Sequence, residues 1–433
     1  MLADRYSTEF LVKHFLPAGT WKPFPPASDR RSWENMQKFP LNRRRRKFVV
    51  EKALSLTGKS CPPLPATLFM EFSRNGNRIN YETPYFARRN NLAVLVIAEC
   101  MEHRGRFLDE IANAVWAITE EATWCIPAHV MKMAKDDVLP SQELETVDLF
   151  SAETAFVLAE TLYLLKAELE ELSPALCRRI RKQVEKRIII PSEKHKFWWM
   201  DGRNNWTPWC CCSVLAAGMY ILEDTTRLAD LARRLMKYVD RFISRYGSDG
   251  GCDEGPGYWN LAAGAMFIFL EFLHSRTAGA VDIYDEPLIK KMGEFIVKTH
   301  IHAQWFVNFA DASASIGLRD AGLRESVPYR FGQRVGSENM KNLALLSMRK
   351  WNEHGAVDPL FNSPGLLNIL RSLFWVPADA RPVKDRAQKC TWFPNLQVLV
   401  ARESEDPSKG FLLAAKGGHN DENHNHNDVG QFI

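Results

Sequence analysis

The sequence predicts a mainly α-helical protein in which antiparallel helical hairpins form one closed or curved layer, followed by the beginning of an antiparallel β domain. Three observations predict it. Apolar residues recur at helical spacing through successive segments, the connections between those segments are short and turn-like, and after about Lys389 the pattern changes to short β-favouring runs. A chain of 433 residues with 46% hydrophobic content has the apolar surface for a large core and, by usual domain size, for two domains.

The first eighty residues are rich in Pro, Arg and aromatic side chains, with breaks at Pro23 to Pro26 and Pro62 to Pro65, and read as a helical and loop-rich segment over 1–80. From about Tyr85 helix-length segments follow at about 86–103, 106–122, 149–172, 174–190, 208–222, 225–246, 258–275 and 286–300. In the third, Leu158, Leu162, Leu165, Leu169 and Leu172 fall on one helical face. Ser173-Pro174 then supplies an N-cap and a Pro at the first helical position, the expected start of the next helix. Antiparallel hairpins with short connections result. No repeat is evident, so a single closed or curved layer is expected rather than a solenoid of near-identical units. Asn395 to Arg402 and Gly410 to Lys416 read as strands joined by the turn Glu405-Asp406-Pro407-Ser408. Two or three strands cannot bury a sheet face alone, so the β domain over 386–433 is expected to be incomplete in this chain.

A net charge of +4 is small for this length, and the one basic run, Arg43-Arg44-Arg45-Arg46-Lys47, is not repeated. A nucleic-acid partner is therefore not expected, and the run reads as a solvated face or an anionic-ligand contact. Nine cysteines, three of them consecutive at Cys210-Cys211-Cys212, suit neither a disulfide framework nor a tetrahedral zinc site, so reduced and mostly buried thiols are expected. Met1 to Glu9 carries acidic residues without a signal-peptide apolar core, and no apolar run reaches bilayer-spanning length. The expectation is a soluble cytoplasmic protein without stable membrane insertion, the cell envelope or periplasm being the alternative if the start lies upstream.

Three constellations carry chemistry. Arg203-Asn204-Asn205-Trp206-Thr207-Pro208-Trp209 sets amides and indoles before a helix: Trp faces stack on sugar rings and Asn amides hydrogen-bond carboxylates, or else the Trp residues anchor the core and the Asn residues cap the helix. Asp249-Gly250-Gly251-Cys252-Asp253-Glu254-Gly255-Pro256-Gly257-Tyr258-Trp259 is a Gly-rich loop that delivers Tyr258 to an apolar helix, a cost in chain entropy more often kept where geometry matters. The third is the polar run Gly418 to Phe432, with His419, His424 and His426 among Asn residues. His424, His426 and Asp428 would share one face of a strand, a partial metal site lacking further ligands.

Together these segments resemble the heparinase II/III-like polysaccharide lyases. The likeness rests on Asn204-Asn205-Trp206, on Asp249 to Trp259, and above all on Gly417-Gly418-His419-Asn420-Asp421-Glu422-Asn423-His424-Asn425-His426-Asn427-Asp428-Val429-Gly430-Gln431-Phe432. It extends more weakly to Tyr85 to Arg89, Trp124 to His129 and Trp305 to Asp311, and covers the chain from about residue 80 onward. The resemblance implies an (α/α) toroid over 81–385 and the start of a β-sandwich over 386–433. It implies a carbon–oxygen lyase acting on uronic-acid-containing polysaccharides or oligosaccharides, heparin- or heparan-sulfate-like or alginate-like, by β-elimination. Such a reaction needs a group that neutralises the uronate carboxylate, a base for the C5 proton and an acid for the leaving oxygen. By the resemblance Asn205, or its neighbour Asn204, neutralises the carboxylate, and Tyr258 and His424 share the base and acid roles. A Tyr base would need its pKa lowered from about 10, whereas His serves without such tuning. Asn204, Trp206, Glu254, Trp259, His419 and Asn425 would line the substrate. No cofactor is required, and His426 would ligate a structural zinc in a full-length protein whose other ligands come from later strands.

Two readings compete with this one. An (α/α) toroid glycoside hydrolase would use Asp253, Glu254 or Asp311 as a carboxylate pair. A non-catalytic carbohydrate-binding protein would stack sugar on Trp206, Trp209 and Trp259.

Overall fold

The computed structural model describes residues 1–130, 138–140, 145–316, 325–353 and 365–433, with 349–353 as backbone. The chain is mainly helical, with a small antiparallel sheet near its C-terminus. Twelve helices organise it: α1 Pro40–Leu54, α2 Ile79–Glu102, α3 Leu108–Thr119, α4 Leu149–Leu164, α5 Pro174–Val184, α6 Trp206–Ile221, α7 Thr225–Arg245, α8 Ala263–Arg276, α9 Pro287–Lys298, α10 Ser326–Val335, α11 Glu338–Glu353 and α12 Leu366–Phe374.

Six of these touch in succession: α2 packs on α4, α4 on α6, α6 on α8, α8 on α10, α10 on α12, and α12 on α2. Their sequences explain the position. In α6 all but Trp209 and Tyr220 are buried, and α4 and α8 are almost as apolar all round, the pattern of helices covered on every side. The others are amphipathic. Helix α7 buries Leu228, Leu231, Leu235, Val239 and Phe242 against α6, leaves Lys237 exposed, and is started by Asp224, whose carboxylate accepts from the amides of Thr226 and Arg227.

Several boundaries differ from expectation. The helix expected over 149–172 is interrupted at Leu165, where φ is −119° and ψ 30°, and resumes over Lys166–Leu172. The next ends at Val184 in a π turn over Glu185–Ile189. Helix α2 begins at Ile79 rather than 86 and contains Pro84, at the cost of a backbone hydrogen bond. Helix α8 begins at Ala263, not 258, because the preceding loop is held by contacts described below. Helices α10 to α12 were not expected.

A hairpin of β1 His300–His302 and β2 Trp305–Phe306 precedes α10. The C-terminal sheet comprises β3 Cys390–Phe393, β4 Val398–Arg402 and β5 Leu412–Lys416, antiparallel in the order β3-β4-β5. Strand β3 adds to the two that were expected. Alternation places Phe393, Val398, Val400 and Ala414 in the core and leaves Trp392 and Leu413 exposed. The sheet docks through Phe393, whose ring lies 5.2 Å from that of Phe295 on α9, and through Asp249, which accepts from the amide of Asn395 at 2.7 Å.

The N-terminal segment belongs to the same apolar core, contributing Leu2, Leu11, Trp21, Trp33 and Val49. Its residues 16–27 cross the C-terminal ends of α4 and α8: Ala27 donates to the Leu164 carbonyl, Leu16 to that of Arg276, and the Trp21 indole to Ser275. The basic run lies on α1, where Arg45 pairs with Glu325 at 3.4 Å, Arg46 with Glu102 at 3.6 Å and Lys47 with Glu51 at 3.9 Å. It is dispersed around a helix, not gathered into a patch. All nine cysteines are free and seven are buried, including the three consecutive ones. No helix among the described residues is long and apolar enough to cross a membrane.

Candidate active site

Asn205, Tyr258 and His424 meet where α4, α6 and α8 begin. Two glycines explain how the Tyr258 loop gets there. A Cβ on Gly255, where φ is +85°, would lie 2.6 Å from the Phe309 carbonyl oxygen, and one on Gly257 would lie 2.9 Å from that of Asp311. Only glycine permits the two backbones to press together this closely. The approach sets Tyr258 beside Asp311.

The polar run closes over this junction. Asn423 donates to the Arg203 carbonyl at 3.0 Å and to Asp253 at 2.8 Å, and Asp428 accepts from the amide of Ala310. His424 and His426 do not lie on a strand as their spacing suggested. The backbone turns instead, with φ of +53° at His424 and +59° at Asn427, because the loop is tied to the helical body at both ends. The two imidazoles nevertheless converge on one carboxylate: His424 Nδ1 lies 2.9 Å from Asp311 Oδ2, and His426 Nε2 3.5 Å from Asp311 Oδ1. The His424 ring also faces Tyr258, with centroids 4.3 Å apart.

The amides sort themselves. Asn204 Oδ1 accepts from the Trp206 amide at 3.1 Å and so serves the local turn. Asn205 precedes α6 without capping it, and among the described residues its buried Oδ1 has no hydrogen-bond partner. Its backbone amide donates to Glu254 Oε1 at 2.8 Å. Glu254 is 1% exposed, and its other oxygen, 3.4 Å from His424 Nε2, makes no hydrogen bond. Burial, reinforced by the negative charge of Asp253, pushes this carboxyl up to about 8. The Tyr258 phenol moves the same way, to about 12, through burial and the neighbouring Asp311. A Tyr base requires the opposite shift.

Other expected ligands lie elsewhere. Trp259 is completely buried and donates its indole N–H to the Met292 carbonyl at 2.8 Å, so its ring is a core anchor, not a sugar platform. Trp206 is also buried, between His129 at 4.5 Å and Trp198 at 4.6 Å. His129 is itself held by buried Asp148 at 2.6 Å. His419 and Asn425 are engaged within their own loop, His419 with the Asp421 amide and Asn425 with Asn420 and Asn427. The sequence offers Asp311 as a hydrolase carboxylate and as the end of the Trp305–Asp311 likeness, but carries no signal of its partnership with two histidines. His426 and Asp311 offer two of the four ligands of a tetrahedral zinc. Among the described residues no group of three or more His, Cys, Asp or Glu is arranged to hold an ion.

Neither protein-family models nor curated proteins give a match to the chain.

Proposed function

We propose that this protein is a polysaccharide lyase acting by β-elimination on uronate-containing chains, with an (α/α) toroid as its catalytic body. The circuit of contacts from α2 through α12 and back supports the toroid. The observation that carries the chemistry is the junction of Asn205, Tyr258 and His424, brought from three distant segments and joined through Glu254 and Asp311. Asn205 orients and neutralises the uronate carboxylate by donating from its side-chain NH2 group. His424, its Nδ1 turned to Asp311, takes the C5 proton on Nε2; the C–H electrons pass through the enolate to form the C4–C5 double bond as the C4–O bond breaks. Tyr258 keeps its proton until that moment because burial and Asp311 raise its pKa, and it delivers the proton to the departing oxygen. Solvent then carries the proton from His424 and restores Tyr258.

The second reading, a glycoside hydrolase, is favoured by one observation. The Glu254 pKa of about 8 makes it a proton-holding carboxyl 3.4 Å from His424, which in turn contacts Asp311, a second carboxylate. One assay separates the two. The full chain is incubated with heparan sulfate, alginate and polyglucuronate while near-ultraviolet absorbance and reducing ends are both followed. Elimination raises both, and reducing ends without absorbance would replace the lyase with the hydrolase.

A further inference from the structure

A cavity of about 280 Å³ opens at the end of the helical circuit remote from Tyr258. It is walled by Phe24, Phe272 and Trp375 and by the guanidinium groups of Arg330, Arg334 and Arg371. Helix α8 begins just after the Tyr258 loop and reaches the cavity only in its last turns, so the two sites lie about 20 Å apart.

Its charges do not balance locally. Among the described residues Glu271 is the carboxylate that lines it, and all four acceptor positions of Glu271 are filled. Oε1 accepts from the Tyr284 hydroxyl at 2.8 Å and from Arg334 Nε, and Oε2 from Arg330 Nε at 2.9 Å and Arg334 Nη2 at 3.3 Å. One carboxylate thus answers two guanidinium groups. Arg330 uses Nη1 on Gln333, and among the described residues its Nη2 is unengaged. Arg334 otherwise meets the ring of His274, which Asp282, half exposed and outside the lining, approaches at 3.7 Å. Arg371 is answered from behind by Glu160 at 3.5 Å and lies 5.1 to 5.3 Å from the Phe24 and Trp375 rings. Arg334, in the last turn of α10, compensates the C-terminal dipole of that helix. That accounts for its charge but not for Arg330 in mid-helix, nor for an open, aromatic-walled cavity beside Arg330 Nη2.

We propose that this cavity binds a small carboxylate carried on a ring, the carboxylate facing Arg330 and Arg334 and the ring lying against Phe24, Phe272 and Trp375. Guanidinium edges and aromatic faces supply the two halves of that recognition. The inference stands apart from the lyase reading, because its readout is binding, not turnover.

The test is calorimetric titration of the full chain with benzoate, glucuronate and inorganic phosphate, in wild type, in Arg330→Gln and in Asn205→Ala. At least one carboxylate should bind saturably at about 1 mM or tighter. That binding should weaken about tenfold or more in Arg330→Gln and persist in Asn205→Ala, which removes the amide of the other site. Benzoate alone would make the ligand an aromatic acid, and glucuronate alone a sugar acid. Hydrogen exchange on wild type gives a second readout without a variant, with protection expected over 271–279 and 326–335. Absence of saturable binding, phosphate binding as tightly as either carboxylate, or protection confined to the Tyr258 loop would each overturn the proposal.

Discussion

Where α4, α6 and α8 begin, the chain gathers Asp253, Glu254, Asp311 and His424; where the same helices end, it gathers Arg330, Arg334 and Arg371 around Glu271 and Glu160. Both ends bury charge, and they settle it differently. At the arginine end each carboxylate meets a guanidinium. Burial opposes ionisation of both: Arg334 and Arg330 hold Glu271 below its ordinary value, whereas burial keeps Glu160 above its own despite Arg371. At the other end Glu254 is as deeply buried and among the described residues meets no guanidinium, so it rises to about 8. A compensated buried pair holds a fold together, whereas an uncompensated carboxyl beside an imidazole and a phenol is the arrangement on which the proposed lyase rests.

The contrast predicts opposite effects of mutation at the two ends. Tyr258→Phe and His424→Ala should each lower the rate of near-ultraviolet product formation by about 10²–10⁴-fold, with the thermal unfolding midpoint unchanged. Unchanged processing of uronate polymers in both would sink the lyase reading. Arg371→Met should do the reverse and cost about 3–5 kcal/mol in urea unfolding, because Glu160, wholly buried, loses its guanidinium and keeps only the Tyr220 hydroxyl. Adding Glu160→Leu to Arg371→Met should recover most of that loss. A single substitution as stable as wild type would mean that the pair is not what holds this end.

The helices were legible because an apolar face is a local property of sequence: α6 and α7 lie within two residues of where periodicity put them. The start of α8 was not, since the apolar run continues back to Tyr258 and only the contact of Gly255 and Gly257 with Phe309 to Asp311 keeps 258–262 out of the helix. The site divides in the same way. Asn205, Tyr258 and His424 could be singled out as candidates because the motifs that carry the family resemblance contain them, and the structure brings the three together. Asp311 could not be given its role, because its bond to His424 joins segments 113 positions apart. The tryptophans misled for a related reason. A Trp beside a motif looks like a sugar platform, and only burial shows that Trp206 and Trp259 face inward.

The pH dependence of stability sharpens the comparison through Glu254. Its folded-state pKa of about 8 lies above the unbound value of 4.5, so the folded protein keeps a proton that the unfolded chain releases. The contribution is fully present below about 4.5 and is lost as pH rises from there through about 8, a change on the order of 5 kcal/mol. Glu254→Gln carries no such proton, so the stability difference between variant and wild type in urea should grow in the variant's favour from pH 5 to pH 9. Parallel profiles would mean that Glu254 is ionised in the fold, and the two ends would then no longer differ in how they treat buried charge.

The smallest effect tests where the reactive end stops. Trp259 adjoins Tyr258 in sequence but donates to Met292 and lies 6.4 Å from the ring of Phe331, inside the helical body. In Trp259→Phe the ring packing is largely kept and the indole donor is lost, leaving the Met292 carbonyl without that partner. The expected cost is about 1–3 kcal/mol of stability. Because the ring does not reach the Tyr258 side of the loop, KM and kcat should each change less than about threefold. A tenfold rise in KM with unchanged stability would instead put Trp259 against substrate. The wall of the site would then lie one residue deeper than Tyr258.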